Sequence, residues 1–424
     1  MSRSESNLRW PITIGCIVLI VPIIVALVLF VRFAQNSFKP LPQPSKVIMP
    51  NPNAYDFYVQ AGKLITDTEK LDKMVEQMKK PEERSYTVQP NERDYTSSER
   101  YEFVKQNAPA LKKLREGFEY DCRHPNDRIV APSFKQYPEY KDFRRLARLL
   151  AFEGEQKAAN NDWAGASQSY FDIIRFGQDV QRGGAILPML VGRAIQNIGR
   201  RQLYTTSDHL NAKEAKKSAE EMEKALARQT PFVETLIEEK WVCLAMLQGL
   251  EKQVPYNKQN LPGLGLFARH SANNYARYMD KCIENARQPY ASKPPEPEPP
   301  KGILAGILAP VGSKAMYVAV SNDAHNASLA VQFALQAYKM EHGQYPETLN
   351  ELAPNYLIKI PNDPFTVKRP LQYRKTGDKY ILYSIGPDLT DDGGKPVDNP
   401  KTEPDKRYVV DKDSKGDIVA GINR

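Results

Sequence analysis

Between Pro11 and Val31 the chain reads PITIGCIVLIVPIIVALVLFV, 21 residues without a charge. As a helix this covers about 30 Å, the thickness of a bilayer's hydrocarbon core, so lipid is the solvent that suits it best. Pro22 frees one backbone carbonyl, which membrane helices tolerate because neighbouring groups take it up. A cleaved leader is the competing reading, but its apolar core is only about 7–15 residues and ends in a small-x-small site. The flank Arg32-Phe33-Ala34-Gln35-Asn36-Ser37 offers no such site. The expectation is an uncleaved single-pass transmembrane helix over 11–33, preceded by a cytoplasmic segment 1–10. Arg3 and Arg9 before the span, and Arg32, Lys39 and Lys46 after it, do not separate the two sides by positive charge. Orientation is therefore read from the short N-terminus, which leaves the bulk of the chain outside a bacterial inner (cytoplasmic) membrane. Gly302 to Val311, GILAGILAPV, is too short to be a second span.

The 33 prolines outnumber the 23 glycines, and many of them fall in two spacers. Residues 34–52, with Lys39-Pro-Leu-Pro-Gln-Pro-Ser and Pro50-Asn-Pro, read as an extended tether. The Pro/Glu tract after Arg287 makes 288–313 a linker ending in the short apolar segment. Between them, 53–287 is read as an α-helical domain, a bundle or a short helical-hairpin solenoid. Helical periodicity places helices over Phe143–Asn160, Ala164–Val180, Ile186–Leu203, Ala212–Arg228 and Pro231–Leu250. Asp162-Trp163-Ala164-Gly165-Ala166 before Tyr170-Phe171 looks like the middle of a tetratricopeptide hairpin. Such repeats come in series, and with one copy a generic helical hairpin is preferred. Arg144-Arg145 and Arg200-Arg201 are interleaved with Leu and Ala on these helices and read as solvated faces. No nucleic-acid partner is expected, and the net charge of +8 is assigned to anionic lipid or wall polymer.

Residues 314–424 form the third unit. A helix over Lys314–Glu341 sets Ala327, Val331, Ala334, Leu335 and Tyr338 on one face, and Gly343 ends it. Pro346 opens a short helix to Leu352. Leu371-Gln-Tyr-Arg-Lys, Thr376-Gly-Asp and Lys379-Tyr-Ile-Leu-Tyr-Ser-Ile read as strand, turn and strand, and a second hairpin is expected around Asp411–Gly416. The ordered motifs Tyr338-Lys-Met-Glu-His-Gly-Gln-Tyr-Pro346, Pro361-Asn-Asp-Pro-Phe365, Leu371-Gln-Tyr373 and Leu382-Tyr-Ser-Ile-Gly-Pro-Asp388, with Asp391-Asp392, resemble the globular domain of the major pseudopilin of type II secretion systems. The resemblance covers about Val320 to Asn399, roughly a fifth of the chain.

That resemblance implies a helix packed on a small antiparallel sheet, an α+β module, with a calcium-binding loop. The positions matching the loop are Ser384, Asp388, Asp391 and Asp392, whose oxygens suit a hard cation. After Asp392 the family pattern gives way to Gly393-Gly394-Lys395-Pro396, which leaves a bound Ca²⁺ and a solvated Asp-rich turn both open. No prepilin-type cleavage point precedes the apolar span, and about 280 residues separate anchor from module, so filament assembly is not expected. Asp411-Lys-Asp413-Ser-Lys-Gly416 starts like an EF-hand loop. Lys415 and Ile422 stand where that loop needs acids, so a turn is the better reading.

His124, His209, His270, His325 and His342 form no HExxH or close pair, and GxSxG and GxxxxGK[ST] do not occur. Cys122, Cys243 and Cys282 leave room for one disulfide, with buried thiols favoured. The expected function is a non-catalytic binding or scaffold role in the envelope, linked to secretion-like machinery. The alternative is an envelope enzyme with its active site in the helical domain.

Overall fold

The computed structural model describes residues 24–29, 31–32, 35, 40–78, 94–125, 137–253, 264–300, 306, 309, 312–400, 402 and 407–423, with the backbone alone at 250–253 and 264–267. The protein is mainly helical, with one small antiparallel sheet. Most of the expected span lies outside the described residues. Its described parts, 24–29 and 31–32, are helical, and among the described residues no helix is long and apolar enough to cross a membrane. Gly302 to Val311 lies outside the described residues except at 306 and 309.

After the spacer, the described residues hold four short helices: α1 (Ala54–Lys63), α2 (Thr68–Gln77), α3 (Ser97–Gln106) and α4 (Ala108–Gly117). They close on the hairpin of α5 (Glu139–Ala159) and α6 (Trp163–Gln181). Tyr58 of α1 meets Phe176 of α6 edge-on at 4.9 Å and donates its hydroxyl to Asp179 at 2.6 Å. The hairpin turns at Asn161, which takes a left-handed φ of 59°, a conformation asparagine accepts more readily than most residues. Asp162 then caps α6 by accepting from the Gly165 amide at 2.8 Å.

Against α6 lies α7 (Ile186–Thr206), so closely that side chains have no room. A Cβ on Gly177 or on Gly192 would strike the other's carbonyl, and one on Gly199 would come 2.6 Å from the Tyr170 carbonyl. The first turn of α7 has no cap from its own sequence, and Glu239 supplies one by accepting from the Ile186 amide at 2.9 Å. Asn211 and Glu214 form a capping box at the start of α8 (Ala212–Arg228). The pair α9 (Phe232–Gln253) and α10 (Leu264–Ala286) holds a cluster of its own, with Leu244 and Leu247 against Tyr275 and Met279. Cys122, Cys243 and Cys282 are buried free thiols.

The long helix α11 (Gly312–His342) departs from its expected one-sided stripe. From Ala324 to Val331 every residue is buried, because α8 and α7 both pack on it. One continuous apolar cluster runs from Ala54 through α5–α8 and α11 to Leu371 and Leu382, so the parts divided at 288–313 share a core. The Pro/Glu tract is pinned as well, since Tyr290 is buried and meets Phe365 edge-on at 4.9 Å.

The sheet has the order β1 (Gln372–Thr376), β2 (Lys379–Ser384), β3 (Ile418–Val419), all antiparallel. The first hairpin forms as expected around Gly377, whose φ is 58°. The second does not form among the described residues. Ile418 and Val419 pair instead with Ser384 and Tyr383 of β2, and Arg407–Val410 holds no strand. Side-chain bonds take the place of that ladder, with Asn423 donating to the Val397 carbonyl at 2.9 Å. The short helix expected from Pro346 begins later, as a 3₁₀ turn over Leu349–Leu352 with Thr348 and Glu351 in a capping box.

Gly192→Ala pushes a methyl group into a backbone contact between α6 and α7. It is expected to lower stability by about 1–3 kcal/mol, read as a lower urea midpoint with an unchanged slope. An unchanged midpoint would mean that the two helices separate easily.

Candidate functional site

The loop singled out by resemblance is tied into the fold by its own acids. Ser384 is fully buried, and its hydroxyl donates to Asp363 Oδ1 at 2.7 Å. Asp363 also accepts from the Phe365 and Ile385 amides, each at 3.0 Å. Burial raises its carboxyl above the ordinary range, and these donors pull it back. Asp388 accepts from the Thr390 amide at 3.1 Å and the Gly416 amide at 3.4 Å. Asp391 accepts from the Tyr383 hydroxyl at 2.9 Å and the Gly393 amide at 3.0 Å. Asp392 gives its amide to Asp417, which has no exposed surface and also accepts from the Gly394 amide at 2.7 Å. Burial pushes Asp417 up to about 6, with Asp391 and Asp392 adding to the rise.

These bonds answer the calcium expectation. The side-chain oxygens of Ser384, Asp388 and Asp391 go to separate partners, and Asp392 enters through its backbone amide. Ca²⁺ takes roughly six to eight oxygens around a single point, whereas the bonds of Ser384, Asp388 and Asp391 run to protein donors and acceptors within the loop. Among the described residues no group of three or more His, Cys, Asp or Glu is placed to hold a metal ion. Asp363 and Asp417 are the loop's structural acids. Asp363 lay within a quoted motif, but its role depends on Ser384, 21 residues away.

A second polar cluster lies where α7 crosses α11. Arg193 of α7 donates to the Ala319 carbonyl at 2.8 Å and lies 3.4 Å from Asp323. Seven residues on, Arg200 donates through one terminal nitrogen to Asn322 at 2.9 Å and Asn326 at 3.0 Å. Its other terminal nitrogen reaches Asn197 at 3.2 Å. Arg193 and Arg200 are 4% and 6% exposed, which corrects the reading of Arg200-Arg201 as a solvated pair. The reason is tertiary: α11 covers the face on which Arg200 stands, while Arg201 stays exposed.

At the open end of this crossing is a cavity of about 240 Å³. Arg200, Arg201, Asn197 and Tyr204 line it from α7, His325 from α11 and Asn423 from the C-terminal tail. Burial, then Arg200 and Arg201, hold the His325 imidazole down at about 3, so it is neutral at physiological pH. Burial likewise lowers Arg200 to about 10, and both Arg193 and Arg201 act in the same direction. Donors exceed acceptors in this crossing. Arg193 Nε, Gln196 Nε2 and Asn326 Nδ2 are buried with no hydrogen-bond partner.

Sequence reading passed over this site, although two spacings carried it. Arg193 and Arg200 are seven apart on a helix whose other inward positions include Ile195 and Leu203, and Asn322 and Asn326 are four apart on a helix rich in buried alanine. Each pair falls on one helical face, and α11 also carries Asp323 and His325 in this stretch, so polar residues on an inward face here need partners. Set beside protein-family models, curated proteins and solved structures, the chain matches none.

Asp417 gives a pH test of the loop. Its folded-state value lies above the ordinary one, so between the two the folded chain binds more protons and this group's contribution falls as pH rises. Asp417→Asn carries no such charge. Its melting temperature relative to the parent is expected to climb from pH 4 to pH 7. A constant difference across that range would show that Asp417 is an ordinary solvated acid.

Proposed function

We propose that this chain is a single-pass, membrane-anchored protein of the bacterial envelope with a binding role. The observation that carries the anchor is the charge-free run from Pro11 to Val31. The helical stretch at its end supports it, with Ile24, Leu27 and Leu29 exposed by more than half their area. The Pro-rich spacer 34–52 joins the anchor to the body, with Leu41 packed against the α9–α10 cluster.

Binding rather than turnover is supported by the cavity at the α7–α11 crossing. A general acid or base works best with a pKa near the ambient pH. The imidazole in this cavity sits far below that, beside guanidinium groups that keep their protons. Such a lining holds a charge and does not pass a proton. A partner within secretion-like machinery is supported by the C-terminal order of long helix, short turn and antiparallel hairpin, which is the order the pseudopilin resemblance implies.

Alkaline carbonate washing of membranes tests the anchor. The intact chain is expected to stay with the membrane pellet, and a chain lacking residues 11–33 to move to the supernatant. Release of the intact chain would overturn the anchor. In-cell crosslinking followed by pull-down of the intact chain tests the partner. Enrichment of envelope secretion components is expected, and their absence from reproducible crosslinks would remove that link.

A further inference from the structure

We infer that the cavity between α7 and α11 is a binding site for a small soluble phosphomonoester, held by the guanidinium groups of Arg200 and Arg201. This deepens the binding role proposed above and rests on it. The geometry begins with Arg200, which is 6% exposed yet lines the cavity. Its three hydrogen bonds go to the amide oxygens of Asn197, Asn322 and Asn326, all of them neutral. The carboxylate of this crossing, Asp323, bonds Arg193 instead. A buried cation held only by neutral oxygens is a costly arrangement that an anion relieves.

The charge and hydrogen-bond balance favour a dianion. Arg193 and Arg201 both press on Arg200, with only Asp323 and the Tyr204 hydroxyl acting the other way. Behind the cavity wall, the unpartnered nitrogens of Arg193, Gln196 and Asn326 are all donors, so the crossing itself supplies no spare acceptor for Arg200. A phosphomonoester carries a charge of about −1.5 to −2 at neutral pH and three strong acceptor oxygens, against a single charge for a carboxylate. Guanidinium forks match phosphate oxygens in pairs. At about 240 Å³ the cavity takes a phosphate with a small organic group attached. Tyr204 and Thr205 line the remainder; their hydroxyls donate to the His325 and Gln202 carbonyls and keep lone pairs that can accept from that group.

Glycerol 3-phosphate, inorganic phosphate and a short-chain phosphatidylglycerol are titrated into the intact chain in nonionic detergent, at constant ionic strength set with sodium chloride. Calorimetry and thermal melting are the readouts. Glycerol 3-phosphate is expected to bind saturably and raise Tm. Arg201→Gln, at an exposed rim position, is expected to weaken it about tenfold or more. Thr205→Trp, also exposed, fills the cavity and is expected to abolish binding while the chain stays folded. A response no larger than that to chloride, binding unchanged in both variants, or binding of the lipid alone would each overturn the inference. The anchor is read by carbonate washing and this site by titration in detergent, so either can fail while the other stands.

Discussion

The crossing of α7 and α11 fixes the rest of the fold. Two arginines, two turns apart on α7, meet Ala319, Asn322, Asp323 and Asn326 on α11. A guanidinium taken out of water loses several kcal/mol of solvation even after relaxation, so each must find oxygens where it lands. Sliding α11 by one turn would cost Arg200 one of its two asparagine oxygens and take Asp323 away from Arg193. The match therefore sets the register of a helix that follows α7 by more than a hundred residues. It also brings α11 into the same apolar cluster as α5, α6 and α8. Gly192 and Gly199 on the other side of α7, with Gly177 facing them from α6, complete the constraint, because they let the two helices approach until backbones touch.

With α11 held in this way, its C-terminal end carries the sheet. Gly343 stops the helix with a left-handed φ of 74°, and the chain turns back through the 3₁₀ segment to β1. Leu371 and Leu382 extend the helical core into the sheet. The acids of the loop then act as internal caps. Asp363 gathers Ser384 and two amides, and Asp417 gathers two more. A calcium loop and a carboxylate-capped loop draw on the same residues. They differ in whether the oxygens face one centre or several backbone donors, which composition does not reveal.

Much of the local structure was legible in the sequence. The limits of α6 and α8 follow from apolar spacing and from the turn at Asn161-Asp162, whereas α5 begins at Glu139, ahead of the expected Phe143, and α7 runs on past Leu203 to Thr206. The hairpin around Gly377 follows from alternation and a turn residue. The second hairpin was misread because its strands carry weak alternation, while Asp417 and Asn423 offered the backbone side-chain partners instead. Arg200 was misread for a related reason. Arginine beside arginine on a helix is usually solvated, and only a covering helix reverses that expectation. The candidate cavity was illegible as a whole, since its lining comes from α7, α11 and the chain's last residues.

By itself the sequence determined the apolar run at 11–31, the two proline-rich spacers, the limits of α6, α8 and α11 to within a few residues, and the first hairpin. These depend on contacts within a few residues of one another, on solvent preference and on backbone stiffness. Tertiary structure alone decided that α11 lies inside the helical body, that Arg193 and Arg200 are buried, and that the loop acids cap amides. Those outcomes rest on pairings between residues more than twenty, and in the crossing more than a hundred, positions apart. A charge or an amide carries no mark of its burial until the surface that covers it is in place.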